Sequence, residues 1–218
     1  MDPNFQQRCL VVMVPGFIDG PDTYVEHGFP RDLSDAGIPC DAVMVDLHYR
    51  YYGSPGIADI VYEDILVPAA ARGYEEIWMV GISMGGLGTL LTAQAHPEMI
   101  DGIILLAPFV GDEGTLREIE TSGGAATWLP PSSLATATRS ESNYTALLWS
   151  WLRGYHTDPD VMPPIYIGWG SEDRLGTGDA LLAALLPEEH VFSREGGHNW
   201  ATWRPLFQQI LLVAEPGL

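Results

Sequence analysis

Apolar residues gather along this chain in six short runs, separated by stretches with helical spacing. The runs are Cys9–Val14, Ala42–Asp46, Ile77–Val80, Ile103–Ala107, Ile165–Trp169 and His190–Ser193. Most are continuous rather than alternating, the pattern of strands covered on both faces. Between them, Ile57–Arg72 sets Ile57, Ile60, Val61, Ile65 and Pro68 along a mostly apolar face, and Trp200–Ala214 closes the chain. Gly85–His96 stops at Pro97 and Asp179–Leu186 at Pro187, where a residue without an N–H cannot continue a helix. Strands alternating with helices predict an α/β fold: a mostly parallel sheet, right-handed crossovers and helices on both faces.

Residues 108–163 break this rhythm. They hold no convincing strand, but they carry Trp128, Pro130, Pro131, Trp149, Trp151 and a helical stretch, Tyr144–Arg153. So long an excursion between strands is uncommon unless it is functional or disordered. The tryptophans favour an ordered lid, although packing of the insert onto the sheet would use the same aromatics. The length suits one domain, 1–218, with a lid insertion at about 108–163.

The third apolar run leads into "VGISMGG", where Gly81, Gly85, Gly86 and, further on, Gly88 surround Ser83. Each glycine costs a helix about 1 kcal/mol relative to alanine, so a local demand must offset them. Gly81-Ile82-Ser83-Met84-Gly85 fits G-x-S-x-G, a sharp strand-to-helix turn that strains the serine and exposes its hydroxyl. The glycines remove Cβ atoms that would collide as the helix folds back on the strand. A helix N-terminus beside that hydroxyl favours a developing anion.

Serine is a weak nucleophile without a base, and the base needs an orienting carboxylate. The turn motif predicts the chain order serine, acid, histidine. "IYIGWGSEDRL" supplies Asp173 after the fifth run, with Glu172 as a neighbouring rival whose offset from the strand fits less well. "REGGHNWATW" places His198 behind two glycines and ahead of the last helix. His27, His48, His96, His156 and His190 are read as structural. The oxyanion donors are expected from the Met84 N–H and, from the turn "VMVPGFIDG", the Phe17 N–H.

With Ser83, Asp173, His198 and the Pro15-Gly16-Phe17 turn together, the chain resembles the α/β-hydrolase superfamily over 9–214, and within it the small serine esterases. "GGHNWATW" is similar to a Gly-His-x-Trp-x-x-Trp pattern of feruloyl-esterase-like bacterial enzymes. The chain departs from many relatives in having Pro15-Gly16 where they have His-Gly. Only eight residues precede the first run, too few for the antiparallel pair that opens larger members. The resemblance therefore implies six parallel strands, with the second at one edge beside the first. It also implies an acyl-enzyme mechanism that needs no metal or cofactor, and no histidine shows metal-ligand spacing.

Composition narrows the substrates. The formal net charge is −19, and all ten basic residues are arginines. Without lysine there is no Schiff-base chemistry and no Walker-type phosphate loop. So negative a chain repels nucleic acid and anionic membranes. No apolar run is long enough to span a bilayer and no secretory signal opens the chain, so the expected location is the cytoplasm. Cys9 and Cys40 are read there as buried thiols. Tyr49, Tyr52, Phe109 and Trp128 are the expected pocket residues. The expected substrates are small to medium, largely uncharged carboxylic esters. A thioesterase, amidase or lactonase with the same triad is the alternative, and a non-catalytic hydrolase-fold binder a more distant one.

Overall fold

The computed structural model describes residues 7–47 and 56–217. The first half of the chain contributes β1 (Cys9–Val14), α1 (Pro21–Glu26), α2 (Phe29–Asp35), β2 (Cys40–Met44), α3 (Ile57–Val61), α4 (Val67–Ala71), β3 (Glu76–Ile82), α5 (Met84–Ala95) and β4 (Gly102–Leu106). The second half adds α6 (Glu113–Thr121), α7 (Tyr144–Leu152), α8 (Gly154–Thr157), β5 (Ile165–Gly170), α9 (Gly176–Ala183), β6 (Val191–Arg194) and α10 (Trp200–Ala214). The strands form one sheet in the order β2-β1-β3-β4-β5-β6, every neighbouring pair parallel. The edge position foreseen for β2 is the one it holds.

Continuous apolar runs are explained by β1. Leu10, Val12 and Val14 enter a core with Ile57 and Val61 of α3, Leu87 and Leu90 of α5, and Leu148 of α7. Cys9, Val11 and Met13 point the other way, into a core with Tyr24, Phe29 and Phe207 from α1, α2 and α10. Period-two geometry with both faces covered requires an apolar residue at every position. Full burial of each such aliphatic side chain contributes about 1.5–3 kcal/mol. On the second face, Arg204 of α10 makes a two-pronged contact with the buried Asp32 of α2, at 2.8 and 2.9 Å.

Three details differ from the sequence reading. The helix expected over Ile57–Arg72 passes through a π-helical turn, Tyr62–Leu66, where Val67 N–H reaches back to the Tyr62 carbonyl. Pro68 follows directly and has no N–H to restore the usual ladder. His190 stands outside β6, its Nδ1 3.1 Å from the Ile165 carbonyl. The third difference is chemical: Cys9 and Cys40 are not thiols but a disulfide. They are register partners at the first positions of β1 and β2, with Cα atoms 4.5 Å apart. Disulfides persist where the surroundings are oxidising. The cytoplasmic expectation rested partly on free thiols, and that premise is gone. Among the described residues no helix is long and apolar enough to cross a membrane.

The insertion between β4 and β5 is helical, and two of its tryptophans are core. Trp149 of α7 is fully buried, its ring N–H donating to the Val110 carbonyl at 2.9 Å. Trp128 is equally buried and donates to Glu118 at 2.9 Å.

Candidate active site

The turn between β3 and α5 is as tight as its glycines suggest. Ser83 sits at φ 53°, ψ −119°, outside the regions open to an unstrained L-residue. A Cβ on Gly85 would lie 2.1 Å from the Val14 carbonyl oxygen, and one on Gly81 would lie 2.7 Å from the Gly85 oxygen. Backbone bonds hold the strained residue from both sides. Ser83 N–H donates to Leu106 at 3.1 Å, and the Ser83 carbonyl accepts from Gly86 at 2.9 Å and Phe109 at 2.8 Å.

The carboxyl ends of β5 and β6 bring the other two groups. After β5, Asp173 N–H donates to the Gly170 carbonyl, and Asp173 Oδ1 accepts from Leu175 N–H at 2.9 Å. After β6 the chain crosses over β5 so closely that a Cβ on Gly170 would stand 2.1 Å from the Gly196 oxygen. Gly196 itself has φ +141°, and its carbonyl accepts from Glu172 N–H. His198 is thereby delivered onto Asp173. Gly170 escaped the sequence reading. Its signal, a glycine closing a strand that already holds Gly168, is legible only once the crossing is known.

His198 Nε2 lies 2.9 Å from Ser83 Oγ, and Nδ1 lies 2.8 Å from Asp173 Oδ2 and 3.0 Å from Oδ1. The Asp173 side chain is fully buried and that of His198 only 15% exposed. A carboxylate can only accept, so Nδ1 carries the proton and Nε2 is left to accept from the serine hydroxyl. Trp203, one turn into α10, packs edge-to-face on the imidazole with ring centroids 4.9 Å apart. Glu172 is exposed and makes no bond to His198 among the described residues, so of the two adjacent acids Asp173 meets the imidazole. His27 stacks on Trp200, His96 on Tyr62 and His190 on Tyr166. His156 is exposed, and His48 lies outside the described residues.

Met84 is the first residue of α5, at the helix's positive end. The turn after β1 runs alongside: a Cβ on Gly16 would lie 3.7 Å from Ser83 Cβ, and Phe17 follows with its side chain half exposed. Of the expected pocket residues, Phe109 lines a cavity, and its N–H donates to the Ser83 carbonyl. Trp128 does not. It lies in the core with its ring N–H bound to Glu118, because the insertion needs an apolar anchor more than the cavity needs a wall. Tyr49 and Tyr52 lie outside the described residues.

Six residues after Asp173, Asp179 of α9 is completely buried, and neither carboxyl oxygen meets a donor among the described residues. Burial first, and repulsion from Asp173 second, hold its carboxyl well above the usual carboxylate range. A raised acid withdraws stability as pH climbs above its unfolded value. Thermal melts of Asp179→Asn across pH 4–8 are therefore expected to converge with wild type near pH 4. The variant should gain toward pH 8, by about 1.4 kcal/mol for each unit of elevation relieved.

A parallel sheet with a strand–serine–helix elbow at its centre is the architecture of an α/β hydrolase. The family model for the serine aminopeptidases, S33, matches residues 59–181, more than half of the chain. The chain belongs to that family and is a hydrolase. No curated protein sequence matches it. Among solved structures, it superposes on the fluorophosphonate-binding serine hydrolase F of Staphylococcus aureus, substrate bound. That match has a TM-score of 0.64 and 17% identity, covering 97% of this chain and 85% of the other. Est1E from Butyrivibrio proteoclasticus, with ferulic acid bound, gives 0.60 at 14% identity, over 97% and 91%. S-formylglutathione hydrolase from Staphylococcus aureus gives 0.62 at 14%, over 95% and 80%. At these identities the likeness is one of fold.

Proposed function

We propose that this protein cleaves carboxylic esters of small to medium size through Ser83, His198 and Asp173. The observation that carries this reading is the single chain of contacts from hydroxyl to imidazole to buried carboxylate, at 2.9 and 2.8 Å. In the proposed reaction Ser83 Oγ attacks the ester carbonyl carbon while His198 Nε2 takes its proton. Asp173 holds the tautomer and stabilises the imidazolium. The N–H groups of Met84 and Phe17 receive the oxyanion, each such donor being worth about 3–4 kcal/mol in the transition state. The alcohol departs with the proton from His198, and water then repeats the sequence on the acyl-serine.

A series of p-nitrophenyl esters of increasing acyl length tests this. Hydrolysis that falls off beyond a certain chain length is expected, together with labelling of Ser83 by a fluorophosphonate. Absence of turnover on every ester, with Ser83→Ala indistinguishable from wild type, would leave a hydrolase-fold binder in its place. The aminopeptidase name of the family favours amides as the second substrate class. Matched ester and anilide substrates with one acyl group separate the two, and the ester is expected to be cleaved faster.

A further inference from the structure

A cavity of about 460 Å³ opens between the loop after β4, the helix α6 and the first turn of α9. This size suits a small ligand. Its wall borders the backbone that holds Ser83 and Asp173. Phe109 in its wall donates to the Ser83 carbonyl, Leu175 in its wall donates to Asp173 Oδ1, and Arg174 in its wall directly follows Asp173.

Four charged side chains line the cavity: Glu113, Arg117, Glu120 and Arg174. Arg117 is already paired with Glu113 one turn away on α6. Arg174 has no hydrogen bond or ion pair among the described residues, in a chain where 29 acids face 10 arginines. With carboxylates so plentiful, an arginine left without one, in the residue after Asp173, is available to an anion from outside. The same wall includes Thr177 and Gly178, in the first turn of α9, where the helix end carries partial positive charge. Asp179 lies buried within this helix, and burial holds its carboxyl well above the usual carboxylate range. Glu120 on the opposite wall limits the cavity to modest negative charge, which favours a monoanion over a phosphate dianion.

We propose that Arg174 and the first turn of α9 bind a carboxylate carried by the substrate, so that the preferred esters are small monoanions such as half-esters of dicarboxylic acids. This inference rests on the ester-hydrolase reading and replaces the expectation of uncharged substrates. A guanidinium fork suits a carboxylate because two N–H donors meet two oxygens.

The test compares charged and neutral esters by pH-stat. Monomethyl against dimethyl glutarate places the carboxylate on the acyl arm, and 3-acetoxypropanoate against butyl acetate places it on the alcohol arm. Wild type is expected to prefer the charged ester on one arm. Arg174→Gln is expected to lower the charged-to-neutral ratio of kcat/KM on that arm by roughly 10–100-fold, mainly through KM. Arg174→Lys should retain part of the preference. Arg8→Gln removes an equal charge at the start of β1 and should leave the ratio where it was. No preference on either arm, or a ratio indifferent to Arg174→Gln, overturns the proposal while cleavage of p-nitrophenyl acetate by the same preparation keeps the hydrolase reading. Failure to cleave any of the five esters removes both.

Discussion

Ser83→Ala is expected to lower kcat/KM on the best ester by roughly a million-fold, and Asp173→Asn by roughly ten-thousand-fold. The two losses have different causes. Without Oγ there is no nucleophile, and His198 Nε2 faces a methyl group. With asparagine at 173 the shape is kept, but the amide can donate a hydrogen to Nδ1. The imidazole then carries its proton on Nε2, where it cannot accept from the Ser83 hydroxyl 2.9 Å away. Combining the two substitutions should cost little more than Ser83→Ala alone, because the groups act as a unit. Ester kinetics on the two single variants and the double variant, with circular dichroism to verify folding, provide the check. Asp173→Asn within tenfold of wild type would show that another group orients His198.

Cys9→Ser with Cys40→Ser is expected to destabilise the fold by roughly 3–4 kcal/mol, the loop-closure value for cysteines 31 residues apart. For a domain of this size the melting temperature should drop by roughly 10 °C. Per folded molecule the ester activity should persist, because the bridge joins the first residues of β1 and β2 whereas Ser83, Asp173 and His198 follow the last residues of β3, β5 and β6. The C-terminal segment covers the bridge, with Gly217 N–H donating to Glu76 at 2.9 Å, so gentle reduction of the native protein should be slow. Melts with and without reductant after unfolding and refolding measure the effect. Equal melting temperatures in the two states would contradict it.

The legible parts of this molecule share one property: each is decided by residues close together in the chain. All six strands occur at the apolar runs, each boundary within two residues, because burial on both faces demands such runs. The elbow at Ser83 is legible because a tight turn can be made only by small residues at fixed offsets. Two short helices, α1 and α2, and the amphipathic α6 carry weaker local patterns and were not foreseen. Trp128 reads in the sequence as a pocket wall, yet an aromatic residue in an insertion serves equally as an anchor, and packing against the core makes it one.

By itself, the amino-acid sequence determined the alternation of strands and helices, the strained serine turn and the three residue types that a hydrolase of this kind requires, in their chain order. Strand register decided that Cys9 meets Cys40, since two half-cystines thirty-one residues apart become neighbours only when β1 and β2 start level. The crossing of Gly196 over Gly170 decided that His198 meets Asp173 rather than Glu172. Packing of α6 and α9 around the loop after β4 decided that Arg174 lines a cavity. The physical reason is common to all three. Local propensities act over a few residues, whereas contacts between distant segments arise only when the whole sheet and its covering helices bury their apolar faces together.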